Sequence, residues 1–111
     1  MNTLFICSAN KRRSRTAEDH FCTLYPDHNF DSAGTNLKIC SKEGTNPLTE
    51  ELLEWADIIF AMEKKHTQAC HQMMGKTGSK RVITLHIKDV FRYNDKKLIE
   101  ILEKKIVQHL S

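Results

Sequence analysis

The chain has 111 residues, enough for one self-contained domain and hardly more. An apolar share of 40% is ordinary for a globular protein, and no apolar run approaches membrane-spanning length. A net charge of +3 allows acidic partners but is too small to argue for nucleic acid by itself.

TLFIC (3–7) is continuously apolar, as expected of a strand buried on both faces. Residues 14–25 read as a helix with Ala17, Phe21 and Leu24 on one stripe, Cys22 beside it, Glu18 and Asp19 facing outward, and Pro26 as its stop. HNFDSAG (28–34) is a weaker strand ending in Gly34, and the polar stretch 35–46 reads as a loop. Thr49 caps a helix over LTEELLEWA, with Glu50 and Glu51 in the first turn where the dipole favours anions. DIIFAM (57–62) is a second core strand, and EKKHTQACHQMM (63–74) a helix closed by Gly75. KTGSK (76–80) reads as a turn, RVITL (81–85) as the fourth strand, and 86–94 as irregular. Asp95 caps a last amphipathic helix carrying Leu98, Ile101, Leu102, Ile106 and Leu110. Strands alternating with helices predict one α/β domain over 1–111, a parallel sheet covered on both faces. Ligands bind such sheets beyond the carboxyl ends of the strands, where the strand order reverses.

The first strand ends in CSANKRRS (7–14), which leads into a helix. A strand-to-helix turn aims backbone N–H groups and the positive end of a helix dipole at one spot, where an anion is stabilised. Arg13 follows Cys7 after five residues, enough to wrap a small loop and bring a bidentate guanidinium back over its centre. A thiol in that field is favoured as its nucleophilic thiolate. Ser14 can donate to it, and Asn10 tolerates the left-handed backbone of a tight loop. The loop lacks the Gly-Lys-Ser/Thr ending of a nucleotide loop and the glycines of a dinucleotide fingerprint. A thiol with an oxyanion clamp suits attack on a phosphate monoester, with a proton for the leaving group supplied from elsewhere.

LFICSANKRRSRTAE, DSAGT (31–35), WADIIFAMEKKH (55–66) and DVF (89–91) together resemble, in order and over nearly the whole chain, the low-molecular-weight protein tyrosine phosphatase family. The resemblance implies a small doubly wound four-stranded parallel sheet in the order 2-1-3-4. It implies Cys7 as nucleophile, Arg13 as clamp and Asp89 as general acid. Ser8, Ala9, Asn10, Lys11, Arg12 and Ser14 complete the phosphate-binding loop, with Ser32 and Phe91 in support. The substrate expected is a phosphotyrosine protein or a small phosphoester, with no metal, cofactor, membrane or nucleic acid. The chain departs from the family where Arg12 takes the seat of a second loop cysteine, where Val90 replaces the proline after the acid, and where the aromatic pair of the substrate mouth is reduced to Phe91 and a displaced Tyr93.

The rival acid, Asp95, is better read as a helix cap. His66 and Cys70 have a spacing that could hold a metal but no third ligand, and read as a surface histidine and a semi-buried thiol. Two other functions compete. An arsenate reductase needs further cysteines to carry oxidation away from the nucleophile, and Cys70 has no nearby partner. A nucleic-acid module would use Lys11, Arg12, Arg13 and Arg15, but no aromatics interleave with them. Cys7, Cys22, Cys40 and Cys70 match no zinc spacing and read as free thiols of a reducing, cytoplasmic compartment. No signal peptide is expected.

Overall fold

The computed structural model describes residues 1–75 and 81–110; the turn expected over 76–80 lies outside them. Leu4, Phe5 and Ile6 are wholly buried because their strand, β1 (Asn2–Cys7), runs through the middle of the sheet. It pairs in parallel with β2 (Asn29–Gly34) on one side and β3 (Ile58–Ala61) on the other. Beyond β3 lies β4 (Arg81–Thr84), so the order is β2-β1-β3-β4, as expected.

Alternation along β1 divides the core. Phe5 and Cys7 face a cluster built with α1 (Arg13–Leu24) and α5 (Lys96–Leu110), including Phe21, Leu98, Leu102 and Ile106. Phe5 packs within 6.0 Å, centroid to centroid, of Phe21, Phe30 and Phe60. Leu4 and Ile6 face the other cluster with α3 (Glu50–Trp55) and α4 (Lys64–Met74), which contribute Leu53 and Cys70. At about 25 cal/mol per Å² of apolar surface, these two layers supply the main driving force of the fold. All four strands run parallel, and the strand order reverses between β1 and β3, which opens a crevice at the carboxyl end of β1.

The loop expected over 35–46 holds a helix, α2 (Leu37–Glu43). Asn36 caps it by accepting from the Ile39 N–H, and Gly44 ends it in the left-handed region at φ 70°. Only Cys40 of α2 is buried, while Leu37 and Ile39 are exposed, so no apolar stripe announces the helix. Leu24 is likewise exposed, at 49%, rather than on the buried stripe of α1. That face is made instead by Arg13, Ser14, Thr16, Ala17 and Phe21. Nor do Glu18 and Asp19 simply face solvent: Glu18 accepts from the Ser32 hydroxyl, and Asp19 from the Tyr93 hydroxyl. In α5, Lys105 Nζ donates to the Leu85 carbonyl at 2.5 Å, and Glu103 meets His20 Nε2 at 2.7 Å, so this charged face is partly engaged.

Gly34 faces Cys7 across the β1–β2 ladder. A Cβ there would stand 2.5 Å from both the Ser8 carbonyl oxygen and Cys40 Sγ, and 3.0 Å from the Asn10 nitrogen. The segment after β1 therefore rests on a bare backbone. Gly34→Ala should cost about 1–3 kcal/mol, as overpacking does. Chemical denaturation of the variant checks this, and wild-type stability would show that the segment yields freely.

Candidate active site

The turn from β1 to α1 is Ser8–Arg12, and Asn10 takes the left-handed conformation at φ 54°. Its carbonyls are drawn into the protein. The Cys7 and Ser8 carbonyls accept from the Thr35 and Asn36 N–H groups at 2.9 and 3.0 Å, and the Ala9 carbonyl accepts from Thr45 Oγ1 at 2.6 Å. Cys40 Sγ packs under the same turn, 3.6 Å from the Ala9 carbonyl oxygen.

The buried Asn10 side chain fixes a chain of protons. Its Oδ1 accepts from the Asn46 N–H at 3.0 Å, so its amide nitrogen faces Ser14 Oγ at 2.9 Å and Ser32 Oγ at 2.8 Å. An amide nitrogen only donates, so both hydroxyls accept there and must send their own protons onward. Ser32 sends its proton to Glu18, whose carboxyl is pushed above its usual range by burial. Ser14 sends its proton to Cys7 Sγ, 2.9 Å away.

Arg13 is only 2% exposed. Its Nη1 donates to Glu63 Oε2 at 2.5 Å and to the Ile87 carbonyl at 2.8 Å, and its Nε lies 3.7 Å from Asp89 Oδ1. A buried guanidinium without such acceptors would be strongly destabilising. The hydrogen bond from Arg13 holds the Glu63 carboxyl below its usual range.

Cys7, Ala9 and Arg13 share a cleft of about 250 Å³ with the exposed side chains Lys11, Arg12, Glu43 and Asp89. Lys11 Nζ stands 3.4 Å from Glu43 Oε2. Of the residues singled out in the sequence, Ser8, Asn10, Ser14 and Ser32 stand behind the cleft as its bracing. Phe91 packs on the α1–α5 core and is not among the lining residues. Asp95 is remote in role: its Oδ1 accepts from the Lys97 N–H at 2.8 Å, at the start of α5.

Glu63 and His66 have no place in the site read from the sequence, yet they bond Arg13 and Ser8, at the two ends of the turn. His66 is not a surface residue but wholly buried, and so is Cys70. His66 Nδ1 accepts from the Glu63 N–H at 3.0 Å, and its Nε2 lies 2.9 Å from Ser8 Oγ. Glu63 is the N-cap of α4 and forms a capping box with His66, the spacing that could have flagged the pair. Cys70 packs among Leu4, Ile6 and Leu53, and burial pushes its thiol up to about 11. Among the described residues no group of three or more possible metal ligands forms. No described helix is long and apolar enough to cross a membrane.

Burial lowers the His66 pKa from 6.5 to about 4. In that window the unfolded chain binds the proton and the folded one does not, so stability falls as pH drops from 6.5 toward 4. Thermal unfolding at pH 7 and pH 5 should show this loss in the wild type and a smaller one in His66→Gln. An equal loss in both would contradict it.

No family model matches the chain, and neither does any curated protein. Solved structures do. A YwlE mutant from Bacillus subtilis is 26% identical with a TM-score of 0.73, the match covering 100% of this chain and 99% of that one. A mutant described as YwlE arginine phosphatase with a phosphorylated active-site serine is 24% identical with a TM-score of 0.71, covering 99% and 95%. A low-molecular-weight protein tyrosine phosphatase from Bacillus subtilis is 24% identical with a TM-score of 0.71, covering all of both chains. With its 2-1-3-4 parallel sheet and a thiol at the carboxyl end of β1, the chain has the fold of the low-molecular-weight protein tyrosine phosphatases.

Proposed function

We propose that the protein is a cysteine-dependent phosphatase that hydrolyses phosphotyrosine or a related phosphate monoester. One observation carries this reading: the Cys7 thiol, the buried Arg13 guanidinium and the Asp89 carboxyl share a single cleft at the start of a helix. Arg13 is anchored through Nη1, which leaves its Nε edge, the edge that Asp89 approaches, for two phosphoryl oxygens. N–H groups of the turn and the first turn of α1 bind the others.

Cys7 attacks as the thiolate, with Ser14 donating to the sulfur. An S–P bond forms as the ester P–O bond breaks, and Asp89, entering as the acid, gives its proton to the leaving oxygen. Water then attacks phosphorus while the Asp89 carboxylate takes its proton. The S–P bond breaks, releasing inorganic phosphate and restoring the thiolate. Lys11 and Arg12 add positive potential at the mouth.

A second reading concerns the leaving group. Among the described lining residues there is no aromatic ring, and the Glu43 carboxylate stands at the mouth. A phosphorylated guanidinium, with its positive charge beside the phosphoryl group, would suit that rim, and one structural neighbour is described as an arginine phosphatase. Arsenate reduction is disfavoured because Cys70 sits in the core with a raised pKa, a poor redox partner.

The test is hydrolysis of para-nitrophenyl phosphate, phenyl phosphate, phosphotyrosine peptides and phosphoarginine peptides. Cys7→Ser should abolish turnover. Asp89→Asn should lower kcat on phenyl phosphate by about 100-fold or more, and by less on the nitrophenyl ester, whose leaving group needs no proton. Asp95→Asn should leave kcat unchanged. An inactive wild type, or an active Cys7→Ser variant, would sink the reading.

A further inference from the structure

We propose that His66 is a positioning residue for the phosphate-binding turn, holding Ser8, the residue directly after Cys7, through its Nε2–H. The proposal rests on the phosphatase reading for its kinetic consequences, but its geometry stands apart from it.

The tautomer follows from the partners. The Glu63 N–H points at Nδ1, so that nitrogen must be the bare acceptor. The ring proton therefore sits on Nε2 and is donated to Ser8 Oγ at 2.9 Å. A charged ring would set an N–H against the Glu63 N–H, so the neutral form is required. The charges that bear on the ring are Arg13 and Lys65, which oppose protonation, and Glu63 and Asp89, which favour it; burial outweighs them and keeps the ring neutral.

The consequence is that the first turn of α4 grips the anion site at two points. Glu63 holds Arg13, the residue that closes the turn, while His66 holds Ser8, the residue that opens it. The same imidazole also caps α4 through Nδ1, so the two roles must be separated. Two variants do this. Asn at 66 offers an acceptor where Nδ1 stands but does not reach Ser8; Gln offers a donor where Nε2 stands.

His66→Asn and Ser8→Ala should each lower kcat/KM by about tenfold, the worth of one buried hydrogen bond. The double variant should lose no more than either single one, because one bond is removed once. His66→Gln should stay within about threefold of wild type. A purely structural cap would reverse this pattern, sparing Ser8→Ala and favouring Asn over Gln. Losses that multiply in the double variant, or a wild-type His66→Asn, would overturn the proposal.

Inorganic phosphate affinity, read by calorimetry on the wild type and the same four variants, gives the answer without turnover, and the same pattern is expected. If the wild type binds phosphate but hydrolyses nothing, the phosphatase reading falls while His66 is judged on affinity alone. A wild type that binds no phosphate would overturn both.

Discussion

The site depends on one buried charge. Arg13 lies at the start of α1, almost without solvent contact, and a guanidinium there is tolerable only against acceptors. Those acceptors come from distant parts of the chain: Glu63 at the entry to α4 and the Ile87 carbonyl beyond β4. Meeting the electrostatic demand of a single side chain thus ties three strand-to-helix segments together at the carboxyl end of the sheet. Removing one partner from such a pair leaves the other charge uncompensated, at a cost of about 3–5 kcal/mol. The same tie sets the guanidinium at a fixed angle before any ligand arrives, which is what preorganised charge stabilisation requires.

Around that charge, the turn is held by bonds whose direction is fixed. The order Glu18, Ser32, Asn10, Ser14, Cys7 has one donor and one acceptor at each link, with the orientation of Asn10 set by Asn46. His66 adds a separate hold on Ser8 from the opposite face of the sheet. No link has an easy alternative, since reversing one proton would leave a buried group unpaired. The Cys7 thiol is therefore positioned by a network that runs away from the cleft, while the cleft's outer side carries exposed, unlike charges. In the proposed reaction, binding of the phosphoryl group and choice of its substituent fall to different sets of residues.

Much of this was legible in the sequence. The continuous runs of β1 and β3 announced a sheet buried on both faces, and the spacing from Cys7 to Arg13 announced a turn that brings both to one cleft. What escaped has physical reasons. Helix α2 has no apolar stripe, because it serves to seat Cys40 under the turn; only its caps, Asn36 and Gly44, betrayed it. His66 looked like a surface residue because its helix is polar on most sides, and a buried histidine is set by a partner 58 residues away. Phe91 lies close to Asp89 in sequence, but its ring is drawn to the α1–α5 core and not to the cleft. Long-range polar pairing leaves no periodicity, so it is the part of a site that a single sequence hides most completely.

The central claim is that Arg13 and its acceptors build an anion site around a thiolate that takes the phosphoryl group itself. The most direct measurement is acid quenching of the wild-type protein during turnover of a phosphorylated substrate, followed by peptide mapping by mass spectrometry. The account predicts one phosphoryl group on the peptide bearing Cys7, present in the wild type and absent in Arg13→Ala. A phosphoryl group on any other residue, or turnover with no labelled Cys7 at any quench time, would contradict it.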